Sequence, residues 1–194
     1  MYHTTDGLDL LPFVDIETGG IPSPDYPLSE IPILEVAIVV CDSNLTELDH
    51  KVMIVSQPRY VLEGMTEWAR KHHSNSGLIE QCLESDRDTQ EVALAMSGWL
   101  YRNYLHGKGT DHADLQPPMC GNSVHYDRKF LEHHMPMLSS MFSYRNIDVS
   151  TLKELAKRWD IPPYEKGDLA HRGLDDLRAS IAELKHYRQY FGEG

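Results

Sequence analysis

Five residues in three separated stretches carry side chains suited to a single reaction: Asp15 and Glu17 in FVDIETGG, Asp127 in CGNSVHYDRKFL, and His171 with Asp176 in HRGLDD. Carboxylate oxygens are hard ligands for divalent cations, and an imidazole that titrates near neutrality can take a proton from water. Together they are what two-metal hydrolysis of a phosphodiester requires. Each piece alone also has a plainer meaning. An Asp-x-Glu pair closing an apolar run can be a solvated strand end, Asp127 an exposed helical acid, and His171 a structural loop residue. Of the remaining histidines, the pairs His72-His73 and His133-His134 lack the rest of a metal-binding pattern.

The elements that must position these residues can be read from periodicity. Leu10 to Glu17 is a buried strand ending on the acidic pair, and residues two apart on a strand share a face. Asp15 and Glu17 therefore project together while Ile16 turns the other way, and two carboxylates so close repel unless a cation lies between them. The Gly19-Gly20 break and three prolines in IPSPDYPLSEIP then mark a loop. Ile33 to Cys41 is a β-branched central strand, SNLTELDH a turn, and Lys51 to Ser56 a returning strand.

Helices follow. The pattern predicts a short one over Met65 to Lys71 and a longer one over Asp88 to Tyr104, with Val92, Met96, Trp99 and Leu100 on one side. Met119 to Asn122 reads as a short strand feeding a helix that starts near Asp127. Tyr144 to Val149 is another strand. Ser150 or Thr151 caps the next helix, Thr151 and Glu154 having capping-box spacing. The last helix, Leu174 to Phe191, has Asp175 and Asp176 in its first turn, where the helix dipole favours acids.

At 194 residues, 41% apolar and 25% charged, the chain suits one α/β domain over residues 1–194. It has no 18-residue apolar run and no leader pattern, so the expectation is a soluble, cytoplasmic protein without membrane contact. Cys41, Cys82 and Cys120 are odd in number and show no Cys-x-x-Cys spacing, which predicts reduced, buried thiols. A net charge of −12 argues against sequence-independent binding along a long nucleic acid, which needs a basic surface. A short substrate held by a few cations is still compatible with it.

The order D-x-E, central Asp, H-x4-D resembles the DEDD exonuclease superfamily in its DEDDh branch. WARKHHSNSGL, CGNSVHYDRKFLEHHMP and YRNIDVSTLKELAKRW are similar to oligoribonucleases within it. The resemblance runs from about Pro12 to Tyr190. It implies a ribonuclease H-like exonuclease fold, a central mixed five-stranded sheet flanked by helices. It further implies 3′–5′ exoribonuclease activity on very short single-stranded RNA, dinucleotides included, with release of 5′-mononucleotides. Asp15, Glu17, Asp127 and Asp176 would hold two divalent ions, Mg²⁺ or Mn²⁺, and His171 would be the general base. The H-x4-D spacing selects Asp176, while Asp175 lies about 100° around the helix.

The same resemblance assigns substrate contacts. Ser123, Arg145, Ser150 and Thr151 would cap the 5′ phosphate, and Tyr144 would reach in from the partner of a homodimer. Trp68 and His73 would lie against the 3′ nucleotide, with Ile21 wedged between the two bases. The chain departs from the family where Gly19-Gly20 replaces Thr-Gly, where Ile21 replaces Leu, and in two longer loops, Pro22 to Ile31 and the stretch before Cys120. Two other readings use the same residues: a proofreading or tRNA-trimming exonuclease, which would need a basic track, and a catalytically silent nucleotide-binding module.

Overall fold

Every residue of the strand Ile33–Cys41 is buried, as a β-branched segment must be when it has neighbours on both edges and helices on both faces. The computed structural model describes residues 10–105, 116–165 and 172–191. Its strands are β1 (Leu11–Thr18), β2 (Ile33–Cys41), β3 (Glu47–Ile54), β4 (Met119–Gly121) and β5 (Asn146–Asp148). They form one sheet in the order β3-β2-β1-β4-β5. The first three run antiparallel as a meander, while β4 and β5 run parallel to β1. The expected mixed five-stranded sheet is present.

The helices are α1 (Arg59–Glu63), α2 (Glu67–Asn75), α3 (Leu78–Glu84), α4 (Thr89–Leu100), α5 (His125–His134), α6 (Pro136–Ser139), α7 (Val149–Arg158) and α8 (Gly173–Arg188). Strand alternation sorts them onto the sheet. Val14, Val36, Ile38 and Val40 face Val92, Met96, Trp99, Phe130 and Leu131 of α4 and α5. Phe13, Ala37, Val39 and Cys41 face Val149, Leu177 and Ile181 of α7 and α8. Each large apolar side chain buried in this way contributes about 1.5–3 kcal/mol, so Leu177 and Ile181 clamp α8 to the sheet. Among the described residues no helix is long and apolar enough to cross a membrane. Cys41, Cys82 and Cys120 are buried free thiols, as expected.

Three local expectations are corrected. The segment Glu47 to His50 belongs to β3 and not to a turn; it is polar because β3 is an edge strand, hydrogen-bonded on one side and wet on the other. The turn itself is tighter, with Asp42 Oδ1 accepting from the amides of Asn44 and Thr46. Helix α7 starts at Val149, and its cap is Asp148, whose side chain accepts from the Ser150 amide. Thr151 is exposed on the first turn, and Glu154 pairs with Lys157 and Arg158 instead of closing a capping box. A capping box does form in α4, where Asp88 and Glu91 satisfy each other's amides.

Candidate active site

β1 outruns β4, with which it pairs at Phe13 and Cys120. Its last residues thus project past the parallel part of the sheet. The Ile16 amide on that free edge donates to Asp127 Oδ1 at 3.0 Å, so the first turn of α5 docks against β1 through the very carboxylate the motif singles out. Asp15 and Glu17 share the opposite face with Phe13, the side covered by α8. Asp175 and Asp176 lie in the first turn of α8. A methyl group at Gly173 would stand 3.2 Å from Asp15 Oδ2 and 2.9 Å from Glu35 Oε1, so α8 begins in direct contact with the acids.

The electrostatics of this crowding are severe. Glu17 is pushed up to about 8, first by burial and then by the charges of Asp15, Glu35 and Asp176, with Arg172 pulling the other way. Burial and Asp15 likewise hold the Asp127 carboxyl well above the usual carboxylate range. The charges of Asp15, Glu17, Asp127 and Asp176 thus act on one another, and it is Asp176, not Asp175, whose charge bears on Glu17. Asp175 bears on Arg178 of the same helix instead. Such a cluster is unfavourable as bare anions, and its all-oxygen donor set is the kind that hard divalent cations take. The residues therefore fit the metal ions the motif implies. His171 lies outside the described residues.

Gly19 and Gly20 explain how α2 reaches this site. A Cβ at Gly19 would sit 2.7 Å from the Pro32 ring and 2.9 Å from Met65 Cγ, and one at Gly20 would sit 2.7 Å from Thr66 Cγ2. Without side chains there, the Gly19 carbonyl receives the Thr66 amide at 3.1 Å, and Thr66 caps α2. The helix carries Trp68, His72 and His73 to the end of β1. The Thr18 hydroxyl donates to the Gly20 carbonyl at 2.9 Å.

His73 is buried, and its Nε2 lies 2.9 Å from the Thr18 carbonyl. A carbonyl only accepts, so Nε2 carries the proton, and burial lowers the tendency of the ring to take a second one. Trp68 is 68% exposed and stacks on His72, with ring centroids 4.8 Å apart. Glu17, His72 and His73 bring a carboxylate oxygen and two ring nitrogens within 4.8 Å of one another. The third partner missing from the His72-His73 pair in the sequence is thus supplied by β1. Ile21, 70% exposed, lines a cleft of about 220 Å³ with Ile16, Thr18, Pro22, Tyr126, Asp127 and Phe130.

At the end of β4 a second cluster forms. Ser123 has φ 52°, a strained left-handed conformation for a residue with a side chain. Its amide donates to Asp148 Oδ1 and to Ser150 Oγ, both at 2.9 Å, and the two serine hydroxyls are 3.1 Å apart. Ser150 Oγ donates in turn to Asn122 Oδ1 at 3.1 Å. Ser123 and Ser150 are therefore brought together. Arg145 sits to one side, its guanidinium 5.3 Å from the ring of Tyr144, which is 82% exposed.

Sequence reading missed Glu35 and Arg172. Glu35, 1% exposed, accepts from Arg172 Nη2 at 2.6 Å and from the Gly173 amide at 3.1 Å. The available signal was one acid inside an otherwise apolar strand, since a buried carboxylate requires a partner.

Comparison with known proteins agrees with this geometry. The exonuclease family model RNase_T matches residues 13–184. An oligoribonuclease of Idiomarina loihiensis is 44% identical over 182 residues, 92% of this chain and 92% of the relative. One from Alcanivorax borkumensis is 40% identical over 96% of this chain and 98% of its own length. In three dimensions the chain is similar to exonuclease I of Methylocaldum szegediense, with a TM-score of 0.68 at 15% identity over 93% of this chain and 40% of that one. E. coli exonuclease I in complex with a 5cy-dT13 oligonucleotide gives 0.61 at 13% identity, over 93% of this chain and 41% of that one. The chain spans about two fifths of these two proteins, and at such identity they speak for the ribonuclease H-like exonuclease fold alone. Because the family model and the oligoribonucleases both align with nearly all of the region that builds the acidic cluster, the chain belongs to the DEDD exonuclease superfamily, among the oligoribonucleases.

Proposed function

We infer that the protein is a 3′–5′ exoribonuclease that removes 5′-mononucleotides from very short RNAs. The observation that carries the reading is the convergence of Asp15, Glu17, Asp127 and Asp176 at the end of β1, with Glu17 pushed up to about 8 by burial first and then by the charges of Asp15, Glu35 and Asp176. These four residues would hold two divalent ions, Mg²⁺ or Mn²⁺, which when bound would activate water and steady charge on the phosphate and the leaving oxygen. Asp127 keeps one oxygen on the Ile16 amide, so its carboxyl is oriented before any ligand arrives. His171 takes the proton of the attacking water, a role that suits an imidazole near neutral pH.

The substrate is limited at both ends. Trp68, exposed on α2, and Ile21 offer apolar surface to the bases, stacking being worth roughly 1–3 kcal/mol per base. His73, anchored on Thr18, borders the same nucleotide. Ser123 and Ser150, with Thr151 and Arg145 beside them in the chain, take the 5′ phosphate through charge-assisted hydrogen bonds. A second copy of the chain supplies Tyr144. The exposure of Tyr144 at 82% and of Trp159 at 55% supports a homodimer, since large apolar groups on a surface favour a partner. The absence of Cys-x-x-Cys spacing and the three buried free thiols support a cytoplasmic setting.

The test is Mg²⁺-dependent digestion of 5′-labelled RNAs of two, five and twenty nucleotides. Fastest loss of the two-mer is expected. Preference for the twenty-mer would assign the chain to exonucleases of long substrates, and binding without cleavage would make it a silent module.

A further inference from the structure

We propose that Glu35 and Arg172 form a positioning pair that sets the first turn of α8, and with it Asp176, against the acids of β1. The inference rests on the catalytic reading above. Glu35 is the register partner of Glu17 across β1 and β2, so the two acids stand side by side on one sheet face. One Glu35 oxygen accepts from the Gly173 amide at 3.1 Å and the other from Arg172 Nη2 at 2.6 Å. Both ends of the carboxylate are spent on the start of α8.

Arg172 reaches further. Nη2 also donates to Gln81 Oε1 of α3 at 3.1 Å, and Nη1 points at the Ser76 carbonyl, 3.5 Å away at the C-terminal end of α2. A cation there is favoured by the helix dipole. One guanidinium thus joins β2, α2, α3 and α8. The helix at one end bears Trp68 and His73, and the helix at the other bears Asp176. The Arg172 carbonyl accepts the amides of Asp175 at 2.9 Å and Asp176 at 3.0 Å. Its backbone therefore fixes the shape of the turn, and its side chain fixes where that turn sits.

Stability alone does not account for this arrangement. A buried acid beside other acids is costly, and apolar residues of similar size often do as well or better than a buried ion pair. Among the described residues Arg172 Nε is buried without a hydrogen-bond partner, so it is the Nη contacts that orient the guanidinium. Placement of Asp176 is what the pair secures.

The experiment compares full-length wild type with Arg172→Met, Glu35→Gln, the double variant, Arg172→Lys, and Arg178→Gln as a control on the exposed α8 pair with Glu47. Melting temperature, Mn²⁺ affinity by calorimetry, and kcat and KM on an RNA dinucleotide are measured. Each single change strands one charge, the buried Glu35 or the half-buried Arg172, and lowers the melting temperature by roughly 5–10 °C, more for Arg172→Met. The double variant regains most of it, yet its kcat stays down on the order of 100-fold and its Mn²⁺ affinity about tenfold. Arg172→Lys restores melting temperature more than kcat, because a point charge cannot span three acceptors. Arg178→Gln leaves all four readouts near wild type. Recovery of kcat together with melting temperature in the double variant would make the pair merely structural and overturn the proposal. Should the wild type fail to cleave the dinucleotide, the catalytic reading falls by itself. Mn²⁺ affinity then still decides the pair, an undiminished value in the double variant overturning it.

Discussion

At the end of β1, Asp15, Glu17, Asp127 and Asp176 lie close enough for their charges to act on one another, and Glu17 is pushed up to about 8, first by burial and then by Asp15, Glu35 and Asp176. At the end of β4, Asn122, Ser123, Asp148 and Ser150 hydrogen-bond to one another, and even the strained Ser123 has its amide doubly satisfied. The two regions treat polar groups in opposite ways. The acid cluster stores a cost that a proton or a bound cation relieves, whereas the groups of the serine cluster satisfy one another. On the proposed reading, chemistry belongs at the first region, whose groups gain most on binding metal, and recognition at the second, whose rigid groups select what fits.

Breaking the first region should have the largest effect. Glu17→Gln, Asp15→Asn, Asp127→Asn or Asp176→Asn is expected to lower kcat on the order of 10³-fold or more, since several kcal/mol of transition-state stabilisation go with a lost metal ligand. The melting temperature of the metal-free Glu17→Gln protein should hold or rise, because glutamine keeps the neutral form that the buried site favours. Loss of folding along with activity would mean that these acids are structural. In the second region the signs reverse. Ser150→Ala should cost about 1–3 kcal/mol of stability by opening the network, and should raise KM for a 5′-phosphorylated dinucleotide about tenfold with little change in kcat. An unchanged KM there would remove the serines from phosphate recognition.

A pH titration sharpens the contrast further. Glu17 rises from 4.5 in the unfolded chain to about 8 in the fold, so its protonated form favours folding. That stability is complete below about 4.5 and is lost as pH rises through about 8. The metal-free protein should therefore melt at falling temperatures across this window, and saturating Mg²⁺ should abolish the fall. A flat profile without metal would contradict that stored cost. The smallest effect is expected at Asp175→Asn, which faces Arg178 and should retain most of the activity. The reverse result for Asp175 and Asp176 would reassign the last ligand.

Local chemistry was legible in the sequence wherever it repeats along the chain. The apolar run ILEVAIVVC became a buried strand over the expected residues, and the stripe of Val92, Met96, Trp99 and Leu100 became the inner side of α4. Edge and cap details were less legible. Nothing in TELDH says that a neighbouring strand lies on one side only, and Asp148 competes with Ser150 and Thr151 for the same cap.

By itself the sequence determined where the strands and helices run, because their periods are local properties, and its resemblance to the DEDDh exonucleases nominated the candidate site residues in their order along the chain. The preference for Asp176 over Asp175 comes from the H-x4-D spacing of that family motif; local geometry adds only that the two point about 100° apart. Only the tertiary structure decided what the acids meet. Glu35 lies beside Glu17 through strand register, Arg172 bridges four elements through packing, and His72 and His73 arrive at Glu17 because two glycines let α2 approach. These contacts join residues far apart in the chain. They depend on which faces bury together, and that is settled by the whole core at once.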